Sequence, residues 1–313
     1  MTRIVIAGAT GFIGSALLSE LAGSVVPLKR SDVDLTDAET VAAFLKPRDT
    51  IINAAGYADA TDRSRDGLGR FQRSNVDAVR CIAEAAVKVG ADHLIHISSV
   101  AAMGQVLGRG ITERHQLPTR TAYAASKARA ELVLREFGGL LPITMLRPTS
   151  VFGEGRPLAA ALCRVAARPL IPLPAGGQNL IPFTYIGNVV EAVRLTIGNE
   201  RCIGKTFIVG DERSYTLREI IRAIADALGK PPRFVSIPIP AARMSVRSLE
   251  WVARLMNRRT PIDRSRLETL TTSVEYSIAS FQRATGYVPP ISLPIAAGRL
   301  AAWYLNLESN DRV

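Results

Sequence analysis

The chain has 313 residues, 47% hydrophobic and 21% charged, with a formal net charge of +11. This composition excludes a disordered or low-complexity protein and allows one large domain plus a smaller one. Its three cysteines, Cys81, Cys163 and Cys202, are odd in number and match no metal-ligand spacing, so neither a disulfide framework nor a metal site is expected. No apolar run is long enough to span a bilayer, and the first residues enter a strand with no secretory leader, so a reducing, cytoplasmic setting is expected. The positive balance favours anionic partners. Because the basic residues are scattered without interleaved aromatics, a phosphorylated metabolite is the expected partner and nucleic acid is not.

In chain order, RIVIA (3–7) is an apolar β-branched run that stops at glycine, the pattern of a buried strand. GFIGSALLSELAG (11–23) carries apolar residues at helical spacing and ends on Gly23. SVVPLKR (24–30) reads as a second strand, and DTIINAAG, DHLIHISS and PITMLRPT as further strands. Helical patterns lie between them at 75–90 and 121–138. Such alternation predicts an α/β fold, a doubly wound parallel sheet of Rossmann type over residues 1–150. Residues 151–313 are expected to form a smaller, mixed, mainly substrate-binding domain, with segments around 181–210 returning to the sheet. RPLIPLPAGGQNLIPF (168–183) reads as loop or irregular insertion because of its Pro and Gly content. GKTFIVG (204–210) is one more strand. The helix from Thr216 has a capping box with Glu219 and a stop at Gly229. The basic stretch 242–259 is read as an amphipathic helix packed in the second domain rather than lying on a membrane.

Gly8, Gly11 and Gly14 stand three apart between the first strand and the first helix. In that context the first glycine permits the turn, the second lets the backbone approach a pyrophosphate, and the third lets helix and sheet pack closely. The helix start, with Phe12 and Ile13, then directs free N–H groups and the positive dipole end at the phosphates. Lys29 and Arg30 end the second strand, where cations suit a ribose 2′-phosphate; the expected cofactor is therefore NADP(H). Asp32 follows and keeps NAD(H) open.

Tyr123 and Lys127 are four apart in a helical pattern and so share a face. A nearby ammonium lowers a phenol pKa, as does a positive nicotinamide ring, which makes the tyrosine a usable general acid or base. Ser98 and Ser99 close an apolar strand whose carboxyl end faces the ligand crevice of such a sheet. A serine there can hydrogen-bond the oxygen that the tyrosine protonates. His93, His96 and His115 have no metal spacing and are read as structural or surface residues.

Taken together these motifs resemble the extended short-chain dehydrogenases/reductases, which include nucleotide-sugar epimerases, dehydratases and ketoreductases. The resemblance implies a catalytic set of Ser99, Tyr123 and Lys127. It also implies cofactor contacts from the glycine motif, from Asp34 and Leu35 of DLTD, and from Asn53, Ala54, Ala55 and Gly56 of NAAG. Pro148 and Ser150, in RPTSVFGEG, match the family's loop near the nicotinamide, and Asn75 matches its helix-heading asparagine. Asn188 stands where aspartate is common in the family.

Departures narrow the choice. Val100 and Ala101 follow Ser99 where the family's dehydratases carry Asp-Glu, and no cysteine lies near Ser99 as in its epimerase-reductases. The N-terminal half resembles dTDP-4-dehydrorhamnose reductases, and the C-terminal half resembles bacterial reductases forming UDP-N-acetylquinovosamine. Both imply reduction of the C4 carbonyl of a nucleotide-linked 4-keto-6-deoxy sugar, for surface polysaccharide. The alternatives are a nucleotide-sugar 4-epimerase with tightly bound NAD, a reductase of a non-sugar ketone, and a non-catalytic NADPH-binding protein. Arg213, Arg264 and Arg266 are candidates for the substrate's diphosphate, and Glu113 for shaping the site. The resemblance further implies a homodimer formed through helices near 75–89 and 122–137.

Overall fold

The computed structural model describes residues 3–21, 25–29, 31–59, 62, 64–255, 267–268 and 271–310. Its first half builds from β1 (Ile4–Ala7), α1 (Phe12–Glu20), β2 (Val25–Leu28), α2 (Ala38–Phe44), β3 (Thr50–Asn53) and α3 (Arg65–Gln72). It continues with α4 (Ala78–Val89), β4 (His93–Ile97), β5 (Gly108–Ile111), α5 (Ala122–Glu136) and β6 (Ile143–Pro148). The second half holds β7 (Ser150–Phe152), α6 (Pro157–Ala166), β8 (Leu170–Pro174), β9 (Leu180–Ile181), β10 (Phe183–Tyr185) and α7 (Ile186–Thr196). It ends with β11 (Thr206–Val209), β12 (Tyr215–Thr216), α8 (Leu217–Ala227), β13 (Arg233–Ile237), α9 (Ile239–Leu255), β14 (Val274–Tyr276), α10 (Ala279–Thr285) and α11 (Leu293–Asn310).

Six parallel strands form the central sheet in the order β11-β6-β4-β3-β1-β2. The chain starts in the middle, winds outward to β2, then returns and winds the other way, which is the doubly wound topology. Strand alternation sorts the core into two layers. Val5, Ala7, Ile51 and Leu94 pack with Val41, Ile82, Ala86, Ala130 and Leu134 from α2, α4 and α5. Ile6, Ile52, Ile95 and Ile97 pack on the other face with Leu17, Val193 and Phe281 from α1, α7 and α10. A third apolar cluster joins α6, α8 and α11 to β7–β10 and β12.

Two sequence expectations change. Residues 168–183 are not irregular: Leu170–Pro174 pairs in parallel with β13, Leu180–Ile181 pairs antiparallel with β12, and Phe183–Tyr185 pairs with β7. The prolines are tolerated because β8 lies in a two-stranded sheet and its free edge needs no donors. The helix expected from residue 75 is preceded by α3 and a π-helical stretch, Arg73–Asp77, which buries Asn75. A single π turn inside a helical run is a common device for re-aiming a side chain.

The capping box of α8 is formed as expected, with Thr216 and Glu219 exchanging side chain-to-backbone bonds. Along α9, Ala242 and Val246 are buried with Leu267 and Ile237, so one stripe of this basic helix is packed. Among the described residues no helix is long and apolar enough to cross a membrane.

Strand β4 buries two histidines. His93 Nε2 lies 2.9 Å from Thr144 Oγ1, whereas neither ring nitrogen of His96 has a partner. Burial lowers His93 to about 4. Burial, and secondarily the Lys127 charge, lowers His96 well below the usual histidine range. Both are therefore neutral in the fold and titrate normally once unfolded. The stability they carry is complete above the unfolded pKa of about 6.5 and is lost as pH falls from there towards about 4. Thermal melts are expected to fall over that window. His96→Leu is expected to melt at or above wild type at pH 8 and to lose less on acidification. A large loss in that variant at pH 8 contradicts an unpartnered ring.

Candidate active site

The carboxyl ends of β1, β3, β4, β6 and β11 lie along one edge of the parallel sheet. At the end of β1, Gly8 has φ +79°, a left-handed conformation that L side chains avoid, and an added Cβ would lie 2.5 Å from Ala55 N. A Cβ on Gly14 would overlap the carbonyl oxygen of Gly8. The Gly11 N–H closes the turn on Gly8 O at 2.9 Å. Gly11 also serves as the N-cap of α1 without any side-chain cap, whereas Thr121 caps α5 and Thr216 caps α8. The start of α1 thus keeps free backbone donors at the crevice, where the helix dipole favours an anion. A narrow glycine cradle with an uncapped helix end above it fits the diphosphate of a dinucleotide.

Asn53 is buried at the end of β3, and its Oδ1 accepts the Ala55 N–H at 3.0 Å. The following turn, Ala54–Gly56, is held by Asn75, whose Oδ1 accepts Tyr57 N–H and whose Nδ2 donates to Tyr57 O and Ser126 Oγ. Lys29 is exposed just past β2. Asp34 caps its own turn by accepting from the Thr36 N–H and hydroxyl, and Leu35 is buried. Pro148 is buried at the end of β6, and Ser150 is exposed with its N–H on Pro182 O. Arg30, Arg264 and Arg266 lie outside the described residues.

Ser99, Tyr123 and Lys127 come together between β4 and the start of α5. Ser99 Oγ accepts the Ala101 N–H at 3.1 Å, and its hydroxyl is near enough to the Tyr123 phenol to pull the phenol pKa down. Tyr123 packs beside Phe71, with ring centroids 6.1 Å apart. Lys127 is buried one turn further on, its Nζ donating to Ile97 O at 3.0 Å. A Cβ on Gly56 would stand 3.6 Å from that nitrogen, so the ammonium sits between the ends of β3 and β4.

The electrostatics differ from the sequence expectation in one respect. Burial raises the Tyr123 phenol above the ordinary tyrosine range, opposed by the Ser99 hydrogen bond and by the Arg156 guanidinium. The Lys127 ammonium is held on the strand carbonyl of Ile97. Burial in turn lowers Lys127 to about 8, against the upward pull of Glu131.

Sequence reasoning missed Arg156. It stands at the N-cap position of α6 without a side-chain cap, its guanidinium lies 5.1 Å from the Phe12 ring centroid, and its charge acts on Tyr123, so it brings a cation beside both the glycine cradle and the phenol. Its only signal in sequence was its place at the end of VFGEGR. Arg213 instead pairs with Glu219 at 2.9 Å and lies over the Tyr215 ring. Glu113 turns its carboxylate to the Ile208 N–H at 2.9 Å and braces β11. His115 is exposed against Thr112. Cys163 and Cys202 are buried, Cys81 is half-buried, and no metal-binding cluster occurs among the described residues.

The six-stranded doubly wound sheet with its flanking helices is a Rossmann-like fold that solved structures share over nearly the whole chain. The agreement extends to sequence. Residues 4–210 match the NAD dependent epimerase/dehydratase family, and the chain belongs to it. It is an NAD(P)-dependent enzyme of that family. It is 25% identical to a UDP-glucose 4-epimerase of Vibrio cholerae, over 99% of this chain and 97% of that one. It is 26% identical to a 2-alkyl-3-oxoalkanoate reductase of Stenotrophomonas maltophilia, over 96% and 98%. Among solved structures, RMD from Pseudomonas aeruginosa complexed with NADPH superposes with a TM-score of 0.74 at 20% identity, covering 98% of this chain and all of that one.

Gly14→Ala is expected to lower stability by about 1–3 kcal/mol, because the added methyl forces α1 off β1. The same variant is expected to lose the thermal stabilisation that NADPH gives the wild type. Paired melts with and without NADPH check both effects, and a variant indistinguishable from wild type rules out the cradle.

Proposed function

We propose that this enzyme is an NAD(P)H-dependent ketoreductase acting on the C4 carbonyl of a nucleoside-diphosphate 4-keto-6-deoxy sugar or amino sugar, in the synthesis of a surface polysaccharide. The observation that carries the reading is the Ser99–Tyr123 hydroxyl pair at the end of β4, with Val100 and Ala101 following where an eliminating enzyme needs carboxylates. A nicotinamide dinucleotide, its diphosphate held by the Gly8–Gly14 turn, would supply the hydride. Tyr123 gives its proton to the oxygen on which charge develops. Its raised pKa keeps the phenol protonated near neutral pH, the form a reductase needs in its acid. Ser99 donates to the same oxygen and orients it. Lys127, buried one turn further along the same helix, would anchor the cofactor ribose. Arg156 supplies a cation at the mouth of the site for an anionic ligand.

NADP(H) is the favoured cofactor because exposed Lys29 follows β2, and NAD(H) is the alternative because Asp32 stands nearby. A homodimer through α4 and α5 accounts for Leu132, 56% exposed on α5. A second reading, reduction of a non-sugar ketone, is favoured by one feature: Arg213 is paired with Glu219 and so is not held ready for a diphosphate. The name of the Stenotrophomonas relative points the same way.

Incubation with NADPH or NADH and a panel of UDP-, dTDP- and GDP-4-keto-6-deoxy sugars, with a β-keto acid as control, is expected to consume reduced cofactor with a sugar nucleotide. Turnover of the β-keto acid alone selects the second reading, and sugar interconversion without net cofactor loss selects an epimerase. Tyr123→Phe is expected to lower kcat by roughly 10²–10⁴-fold while NADPH binding is retained. Full activity in that variant removes Tyr123 from the chemistry.

A further inference from the structure

Behind Lys127 lies a buried charge cluster that the proposed chemistry leaves unused. Glu131 follows Lys127 by four residues on α5 and is 2% exposed. Its Oε1 accepts the Ser98 hydroxyl at 2.6 Å and Arg147 Nε at 2.9 Å, and its Oε2 accepts Arg147 Nη2 at 2.5 Å. Arg147, also 2% exposed, uses its remaining terminal nitrogen on Glu113 O at 3.3 Å. One carboxylate thus ties together the helix that carries Tyr123 and Lys127, the strand end that carries Ser99, and β6.

A fully buried ion pair is a poor choice for stability alone. Apolar side chains of the same volume serve as well or better, because desolvation offsets the Coulomb gain. The pair makes sense when the third charge is counted. Lys127 lies one helical turn from Glu131 and is itself sealed from water, with its single hydrogen bond to the Ile97 carbonyl. Among the described residues named around it none other is negative: His96 on β4 is neutral, Ser98 and Asn75 are uncharged, Tyr123 on its own helix is a protonated phenol, and Arg147 on β6 and Arg135 on α5 are cations.

We propose that Glu131, clamped by Arg147, is a positioning residue that supplies the buried counter-charge keeping the Lys127 side chain an ammonium at the reaction site. The inference rests on the reading of Lys127 as part of that site. Arg147 aims the carboxylate through both of its oxygens, Ser98 donates to Oε1, and Arg135 Nη2 stands 4.0 Å from Oε2.

The chain has only six lysines, so lysine labelled with ¹³C at Cε gives few NMR signals, and the Lys127 signal is identified by its loss in Lys127→Met. In the wild type that signal is expected to titrate near 8, away from the other five. Glu131→Gln with Arg147→Met removes both charges, leaves the net charge unchanged and fills the space with uncharged side chains. In this double variant the Lys127 titration is expected to fall by roughly one pH unit or more, with the melting temperature recorded alongside. Glu131→Gln alone, which strands a buried guanidinium, is expected to shift it further. An unchanged Lys127 titration in the folded double variant overturns the proposal, as does a wild-type Lys127 that titrates with the other lysines. A change in melting temperature alone, without a shift, assigns the pair a bracing role only and equally overturns it. No cofactor or substrate enters this measurement, so it fails separately from the ketoreductase reading, which the Tyr123→Phe assay addresses.

Discussion

The close approach of α1 to β1 is the constraint on which the rest of the site depends. With no side chain at Gly14, the helix rests its first turn on the carbonyl of Gly8, and with φ +79° at Gly8 the chain reverses in the space of one turn. The same turn lies against the backbone of Ala55, so the ends of β1 and β3 are locked to each other before any ligand arrives. Asn75 then carries the lock across to α5 through Ser126, and thereby fixes the helix that bears Tyr123 and Lys127. A methyl group at either glycine would be felt at the phenol through contacts that are all rigid backbone or buried amide.

Burial is the second organising force, and it acts on the two titratable members of the site in opposite senses. It raises the Tyr123 phenol and lowers the Lys127 ammonium, since in each case desolvation disfavours the charged form. Left alone, burial would drive both groups to neutrality. Each shift is opposed, on the lysine by Glu131 behind it and on the phenol by Ser99 and Arg156, and burial prevails at both. The raised phenol suits reduction, in which it must hold a proton until charge appears on the substrate oxygen.

Much of this was readable from residue pattern. The strand runs that end in glycine, asparagine or serine lie at the carboxyl edge where periodicity placed them, and the capping box of α8 was explicit in its residues. What escaped had physical reasons. Residues 168–183 form short two-stranded pairs whose prolines mimic loop composition, and pairing with β12 and β13 is a long-range event that local pattern does not encode. The π-helical stretch at Arg73–Asp77 has no composition of its own; it exists because Asn75 must turn inward to Tyr57 and Ser126. Spacing shows that Lys127 shares a helix face with Tyr123 but not that its ammonium is bonded to Ile97 O, nor that Arg156 reaches the phenol from another element. Partners such as Arg147 for Glu131 lie on different elements, and only the folded sheet brings them together.

The arrangement of arginines shows how this basic chain separates surface charge from site charge. Arg213 is paired with Glu219, Arg194 with Glu191, and Arg147 with Glu131, so each is neutralised locally. Arg156 is treated differently: it stacks on Phe12, an aromatic face beside the glycine cradle, and its field reaches Tyr123. A guanidinium over a ring keeps its edge donors available, whereas one in a bidentate ion pair has spent them. Glu154, two residues away, is drawn off by both of its oxygens to the Tyr185 hydroxyl. With Glu154 turned to Tyr185, Arg156 makes no ion pair among the described residues and its guanidinium stays on the Phe12 ring.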